Sequence, residues 1–469
     1  MEICFDRVEK VHFIGIGGVG ISAIARLLRV AGKEVSGSDI QNSSICDDLK
    51  KYGVKIFIGH SENNIEKDTD LVIYSLAILD NNLELKKAKK IGINIINYHQ
   101  ALGIFFNKKN GIAVCGTHGK STTTAMVGLL LDDAKLDPSI VVGSIVPRYN
   151  SNLKVGKSQY FVAEACEYKR SFLNLKPKII ILNNIELDHT DYYLNLDDLK
   201  NAFKEFIDNL PHDGILICNG DDINVKNLSS KIRFYHPEVE IMSFGQSKDN
   251  DLYVSNIRLE AGISKYKVLY LSKELGEFSI KAPGLFNVYN SLAAISLGIV
   301  LGIPVKTIQR SLTNFSGIWR RFEIKGTYRK SLVISDYAHH PTAIKATIEG
   351  AKRFYPDRRI FVVFQPHQYN RVKKLYDSFL DCFNNADIVI ITEIFGVVGR
   401  EKKEDQCLSS LYLVNDIIRK ESKLADKVFY AKDLIHARKI IDEKIQDGDI
   451  LLFMTAGDLY KIADEITKK

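Results

Sequence analysis

Residues 111–124 read Gly-Ile-Ala-Val-Cys-Gly-Thr-His-Gly-Lys-Ser-Thr-Thr-Thr. A short apolar run, predicted to be a strand, ends in Gly116-Thr117-His118-Gly119-Lys120-Ser121, and an Ala/Leu-rich helical pattern follows. That order describes a phosphate-binding loop. Its glycines let backbone N–H groups close around phosphate oxygens, and the helix N-terminus adds positive potential. Lys120 can reach the β- and γ-phosphates, and the Ser121 hydroxyl can bind Mg²⁺. The match is partial, because the full pattern G-x-x-x-x-G-K-[ST] asks for glycine at position 114 and the chain has Val114. A glycine turn without ligand is the plain alternative; a lysine, a serine and three threonines at the helix start speak against it.

Outward from this loop, β/α alternation divides the 469 residues into three blocks, 1–105, 106–321 and 322–469, in keeping with about three domains of ordinary size. Strands are expected in the first block near 11–15, 34–38, 54–58, 71–75 and 93–97. In the second they are expected at 160–163, 178–183 and 214–218, with antiparallel hairpins over 251–280 and a helix near 287–302. In the third they are expected at 332–336, 360–364, 387–392, 427–430 and 450–454. Helices alternating with parallel strands predict doubly wound sheets.

Composition bounds the function. Apolar content of 45% and charged content of 26% are those of a soluble globular chain. The net charge of +7 is spread evenly, with no basic run interleaved with aromatics, so nucleic-acid binding is not expected and an anionic, phosphate-bearing substrate is favoured. The longest apolar stretch, 11–31, is broken by four glycines and by Arg26 and Arg29, so no membrane insertion is expected. Seven scattered cysteines without a Cys-x-x-Cys pair, and a start without signal-peptide layout, point to a reducing cytoplasm.

The first block opens with Gly15-Ile16-Gly17-Gly18-Val19-Gly20 after a strand, and Asp39 lies nineteen residues beyond Gly20. This G-x-G-x-x-G pattern with an acidic partner recognises a diphosphate and a ribose. A dinucleotide carries both, and so does a UDP-sugar. In the second block, two expected strands end in Glu164-Ala165-Cys166-Glu167-Tyr168 and in Asn183-Asn184-Ile185-Glu186-Leu187-Asp188-His189-Thr190-Asp191. Open α/β sheets put ligands at the carboxyl ends of strands, so Ser121, Glu164 and His189 are candidates to converge on Mg²⁺ or Mn²⁺ beside a triphosphate. Asn287 and Asn290, at i and i+3, share a helix face and offer a purine edge both donor and acceptor; helix capping by Asn287 is the alternative. Arg320-Arg321 stand where they can clamp a phosphoryl group.

The third block offers Asp336-Tyr337-Ala338-His339-His340-Pro341 and Phe364-Gln365-Pro366-His367-Gln368-Tyr369-Asn370-Arg371 at the ends of two expected strands. Asp336 can bind a ribose hydroxyl, and His339, His340, His367 and Arg371 can hold a small zwitterion with the arginine on its carboxylate. A zinc site is the rival reading of the histidines, which lack the usual ligand spacing.

Taken in order along the whole chain, these stretches resemble the Mur ligase family. The resemblance implies an α/β enzyme of three domains: an N-terminal Rossmann-like parallel sheet for a UDP-sugar, a central P-loop ATPase-like domain with some antiparallel strands for ATP and metal, and a C-terminal Rossmann-like domain for an amino acid. The implied reaction is ATP-dependent ligation of L-alanine to the lactyl carboxylate of UDP-N-acetylmuramate through an acyl phosphate, in peptidoglycan precursor synthesis. Addition of a ready-made peptide to the same sugar is the alternative within the family. The resemblance gives catalytic roles to Lys120, His189, Glu164, His339 and His340. It gives ATP contacts to Gly116, Thr117, His118, Gly119, Lys120, Ser121, Thr122, Asn287, Asn290, Arg321 and Asp336. UDP-sugar contacts fall to Gly15, Gly17, Gly18, Gly20, Ser22, Asp39, Ser75 and His118, and amino-acid contacts to His339, His340, His367 and Arg371. The metal ligands are Ser121, Glu164 and His189, and the expected state is a monomer or weak homodimer. Three positions depart from the family pattern: Phe286 replaces a usual histidine, Gln368 a frequent arginine, and Ile21 a common methionine. The sequence does not choose between His339 and His340 for the amine.

Two other classes fit parts of the chain. A nicotinamide dehydrogenase suits the first block and leaves 116–124 without a purpose. A P-loop kinase or motor ATPase suits the second and leaves the first unexplained.

Overall fold

The computed structural model describes residues 5–260, 262–397, 401, 403–421 and 425–468. Three sheets follow one another along the chain. The first is wholly parallel and is built from Lys10–Ile14, Glu34–Asp39, Lys55–Ile58, Leu71–Tyr74 and Asn94–Asn97, with Lys10–Ile14 at its centre. The reversal of strand order beside that central strand opens a crevice at its carboxyl end, where Gly15–Gly20 lies.

The second sheet has ten strands. Asn110–Cys115, Tyr160–Glu164, Ile179–Leu182, Ile215–Asn219 and Glu240–Gly245 run parallel, and Leu252–Glu260, Ile263–Tyr270 and Lys273–Ile280 extend one edge as antiparallel hairpins. Ile179–Leu182 is apolar at every position and wholly buried, as a strand covered on both faces must be. The hairpin strand Leu252–Glu260 alternates half-buried and exposed positions in its second half, because only one of its faces is covered there. The helix Lys120–Asp133 is buried from Ser121 to Leu131 and packs against Leu285–Val300 and Val305–Thr313. It therefore shows no polar face, and the phosphate loop rests on a rigid core.

The third sheet contains Ser331–Asp336, Ile450–Thr455, Ile360–Gln365, Ile388–Thr392 and Val428–Ala431 in parallel, with Glu323–Tyr328 antiparallel at the edge. The expected strands recur within a residue or two of these bounds. Four strands were not expected: Ser139–Val146, Ser151–Lys154, Glu240–Gly245 and Glu323–Tyr328.

Polar bridges join the layers. Arg26, on the helix after the first glycine loop, donates to Asn152 Oδ1 at 2.7 Å, and the Asn152 amide donates back to the Val19 carbonyl. Within the second layer, at its boundary with the third, Trp319 N–H donates to Ile145 O at 3.0 Å, and the Ser144 hydroxyl to Trp319 O at 2.7 Å. Arg371 of the third layer reaches Asp188 of the second.

Candidate active site

The strand Asn110–Cys115 delivers the chain into Gly116 and Gly119, whose φ values of +125° and +81° lie in the left-handed region that favours glycine. A Cβ on Gly119 would run into Asn290 Oδ1, and one on Gly116 would meet the Asn184 backbone at 3.0 Å. The loop is thus wrapped closely by the strand end at Asn183–Asn184 and by the helix Leu285–Val300. His118 N–H donates to Asn184 Oδ1 at 2.8 Å, and the Thr117 hydroxyl to Glu186 O at 2.7 Å.

Lys120 folds back over its own loop. Its ammonium donates to Gly116 O at 2.6 Å and Thr117 O at 3.1 Å, and pairs with Glu167 at 2.9 Å. Burial works against its charge, but Glu167, Cys166 and Glu164 outweigh burial and raise its pKa. For Glu167 burial again works against the charge, and Lys120 and His189 outweigh it, so its pKa falls. His189 Nε2 stands 3.3 Å from the same Glu167 carboxylate. One oxygen of Glu167 and Nδ1 of His189 are buried and without a partner among the described residues.

Ser121 and Glu164 line one cavity of about 380 Å³, together with Val19, Arg320, Arg321 and Tyr337. A hydroxyl and a carboxylate are the hard oxygen donors that Mg²⁺ or Mn²⁺ takes, and here two arginines line the same cavity. Glu164 also accepts from Gly143 N–H at 2.8 Å. His189, the third expected metal ligand, does not line this cavity and turns to Glu167. Arg320 is enclosed by the rings of Trp319, Tyr337 and Tyr460 and donates to Thr455 O. Arg321 lies over Tyr337, 4.9 Å from the ring centre. Both Asp336 oxygens accept backbone N–H groups, from Phe322 and Ala338, each at 2.7 Å, and burial raises its pKa despite Arg321 beside it.

Asn287 does not cap its helix. Gly284 holds the N-cap position, because the helix begins two residues earlier than expected. The Asn287 amide donates to Pro283 O at 2.7 Å and its carbonyl accepts from Asn290, while Asn290 Oδ1 accepts from Thr123 at 3.1 Å. The pair therefore ties the helix to the phosphate loop.

At the first glycine loop, Asp39 Oδ2 accepts from Gly17 N–H at 2.9 Å. Gly15 has φ +79° and sits against Ser75, and Gly20 sits against the ring of Tyr98. Gly18 is the N-cap of the following helix. The Ser22 hydroxyl is fully buried and donates to Val19 O at 2.8 Å.

In the third layer, Arg371 is 3% exposed and donates twice to Asp188 Oδ1, at 3.1 and 2.9 Å, and again to His367 O. Burial disfavours the Asp188 charge, but Arg371 and three histidines hold its carboxyl well below the usual range. His339 is held well below the ordinary histidine value, first by burial and then by Arg371. Its Nδ1 donates to Tyr337 O at 2.8 Å and its ring lies 5.9 Å from that of His367. His340 caps the helix Pro341–Phe354. The Gln368 amide nitrogen is buried and has no partner among the described residues.

Four residues of these stretches escaped selection: Glu167, Glu186, Asp188 and Thr342. All lie beside residues that the sequence singled out. The signal was available in the first three, acids within a few residues of the end of an apolar run, but spacing alone does not tell which acid of a cluster turns inward.

Compared with known proteins, the chain matches the Mur ligase family catalytic domain over residues 10–110, the Mur ligase middle domain over 114–298, and the Mur ligase glutamate ligase domain over 320–457. It is 38% identical to the UDP-N-acetylmuramate–L-alanine ligase of Caldanaerobacter subterraneus subsp. tengcongensis, covering 100% of this chain and 99% of that protein. It is 41% identical to the ligase of the same name from Persephonella marina, over 98% of this chain and 97% of that one. The crystal structure of UDP-N-acetylmuramate-alanine ligase from Thermotoga maritima superposes with a TM-score of 0.81 at 29% identity, covering 97% of this chain and 98% of that one. A murein peptide ligase from Psychrobacter arcticus gives 0.73 at 25% identity, covering 98% of each chain.

Proposed function

The chain belongs to the Mur ligase family, and we propose that it joins L-alanine to the lactyl carboxylate of UDP-N-acetylmuramate, converting ATP to ADP and phosphate through an acyl phosphate. The observation that carries this reading is the match along the full length of both chains to ligases of that name. The peptide-adding alternative is less favoured, since its structural relative superposes less closely.

The site geometry supports the chemistry. A carboxylate attacking a phosphoryl group brings anions together, so fixed positive charge must face the transferring group. Lys120 and Arg321 supply it, and Arg320 is held rigidly behind by three rings. A magnesium ion on Ser121 and Glu164 would supply further charge neutralisation. Lys120 stays charged at neutral pH and exchanges its loop carbonyls for phosphate oxygens. Asn287 and Asn290 fix the helix that would meet the adenine, and Thr122 lies in the first turn of the loop helix. The glycines Gly15, Gly17, Gly18 and Gly20, with Asp39 and Ser75, would hold the UDP portion. His118 would contact both nucleotides.

On the amino-acid side, Arg371 and His367 would take the alanine carboxylate. Of the adjacent pair, His339 is the one that would offer the alanine amine a free ring nitrogen. Its Nδ1 is committed to Tyr337 O, so Nε2 carries the lone pair. Residues 1–105, 106–321 and 322–469 would then serve the UDP-sugar, ATP and amino acid in turn. An acyl phosphate must be kept from water, and the third layer, pinned by Arg371–Asp188, covers the loop.

Phosphate release from ATP and Mg²⁺, with UDP-N-acetylmuramate and L-alanine omitted in turn, tests the reading. Release that requires both supports it. Release with a peptide in place of alanine moves the assignment to the alternative.

A further inference from the structure

We propose that His118, Glu186 and His340 form a binding site for a divalent transition ion of the zinc class, distinct from the hydroxyl and carboxylate of Ser121 and Glu164. One ligand atom from each residue lies within 4.8 Å of the other two. Two imidazoles and a carboxylate, with water in the fourth position, are a donor set suited to zinc and cobalt, whereas Mg²⁺ prefers oxygen alone.

The three donors come from separate elements: the phosphate loop, the end of the strand Ile179–Leu182, and the N-cap of Pro341–Phe354. His118 Nε2–H donates to Glu186 Oε2 at 2.8 Å, and a metal ion would take that proton's place. The other oxygen of Glu186 accepts from the Thr342 hydroxyl at 2.5 Å, which orients the carboxylate as an outer partner orients a metal ligand. The His340 ring touches Leu187 O at 3.3 Å and Thr342 N at 3.4 Å. Both contacts are long, so one can be given up for an ion. His118 and Glu186 are partly open to solvent and provide an entry, while His340 is 4% exposed and closes the back.

An ion here would bond the phosphate loop to the third layer and hold the two together.

Cobalt added to the full-length chain in Mg²⁺-free buffer provides the test, read by the visible absorption of four-coordinate Co²⁺. Wild type should develop the band, and zinc should bleach it and raise the Tm. His340→Asn keeps a capping oxygen at the helix start and should lose both effects. Thr342→Val should weaken Co²⁺ binding about tenfold, and His189→Gln should leave it unchanged. Should His340→Asn fail to fold, Glu186→Gln makes the same comparison. The proposal is overturned if wild type shows no band, if the band survives His340→Asn and Glu186→Gln, or if His189→Gln abolishes it, which would put the ion at Glu167.

Discussion

The Lys120 ammonium lies 2.9 Å from the carboxylate of Glu167, a residue 1% exposed, and the same carboxylate faces His189 at 3.3 Å. The lysine that should meet phosphate is thus aimed by an acid beneath it. Lys120→Ala should lower kcat by about 10²–10³-fold, while UDP-sugar binding, which would rest on the first glycine loop, persists. Activity within tenfold of wild type would show that Lys120 does not clamp the phosphate. Glu167→Gln removes the partner and should destabilise by about 3–5 kcal/mol, because a buried cation is left unpaired.

Arg371 and Asp188 are both nearly buried, and together they join the second and third layers. Arg371→Ala should raise the KM for alanine and also cost about 3–5 kcal/mol of stability, since Asp188 loses its cation. Arg371→Lys cannot restore the paired donors. In a double-mutant cycle, Asp188→Asn combined with Arg371→Ala should cost less than the sum of the two. Additive effects in thermal unfolding, with an unchanged alanine KM, would remove Arg371 from both roles.

Asn152 joins Arg26 to Val19 O across the first two layers. Asn152→Ala strands a buried guanidinium N–H and a carbonyl, at a cost of about 1–3 kcal/mol. Because Val19 begins the helix after the first glycine loop, the KM for the UDP-sugar should rise with the loss of stability. A variant less stable but unchanged in that KM would mean that the bridge serves folding alone.

Glu186 gives a pH signature. Its folded pKa of about 2 lies below the ordinary 4.5, so the unfolded chain binds the proton more readily. The contribution to stability is fully present above 4.5 and is lost as the pH falls toward 2. Between those values Glu186→Gln should show a shallower fall in the urea midpoint than wild type. Parallel curves would place the wild-type carboxyl at its ordinary pKa.

Strand ends and glycine loops were legible because backbone rules fix them. Ile179–Leu182 is an uninterrupted apolar run, and Gly116 and Gly119 mark turns that only a narrow φ range permits. The strand Ser139–Val146 escaped because Ser139, Gly143 and Ser144 break its apolar run, and Glu323–Tyr328 because a sheet edge needs little apolar surface. Side-chain direction was less legible. Glu164 and Glu167 stand three residues apart in one stretch, yet one lines the cavity and the other holds Lys120, a division set by packing that no local pattern records. Ser22, expected at the UDP-sugar, donates to Val19 O within its own helix.

His339 and His340 are adjacent and chemically alike, but their surroundings separate them. His339 Nδ1 donates to Tyr337 O at 2.8 Å, which fixes the proton on that nitrogen and leaves Nε2 basic; His340 Nδ1 instead accepts from Thr342 N–H as a helix cap. Burial and then Arg371 keep His339 neutral well below the ordinary value of 6.5, so throughout the neutral range its Nε2 lone pair is open to a hydrogen bond from the alanine amine, which it would orient as a weak base. His339→Gln should therefore lower kcat by about 10²–10⁴-fold with no recovery on raising the pH. His340→Asn keeps the cap and should cost less in kcat. An acid limb in kcat/KM for alanine should fall well below pH 6.5, and its loss in His339→Gln would identify the titrating group. A wild-type limb centred above 6.5, or equal losses of kcat in the two variants, would take the proton away from His339.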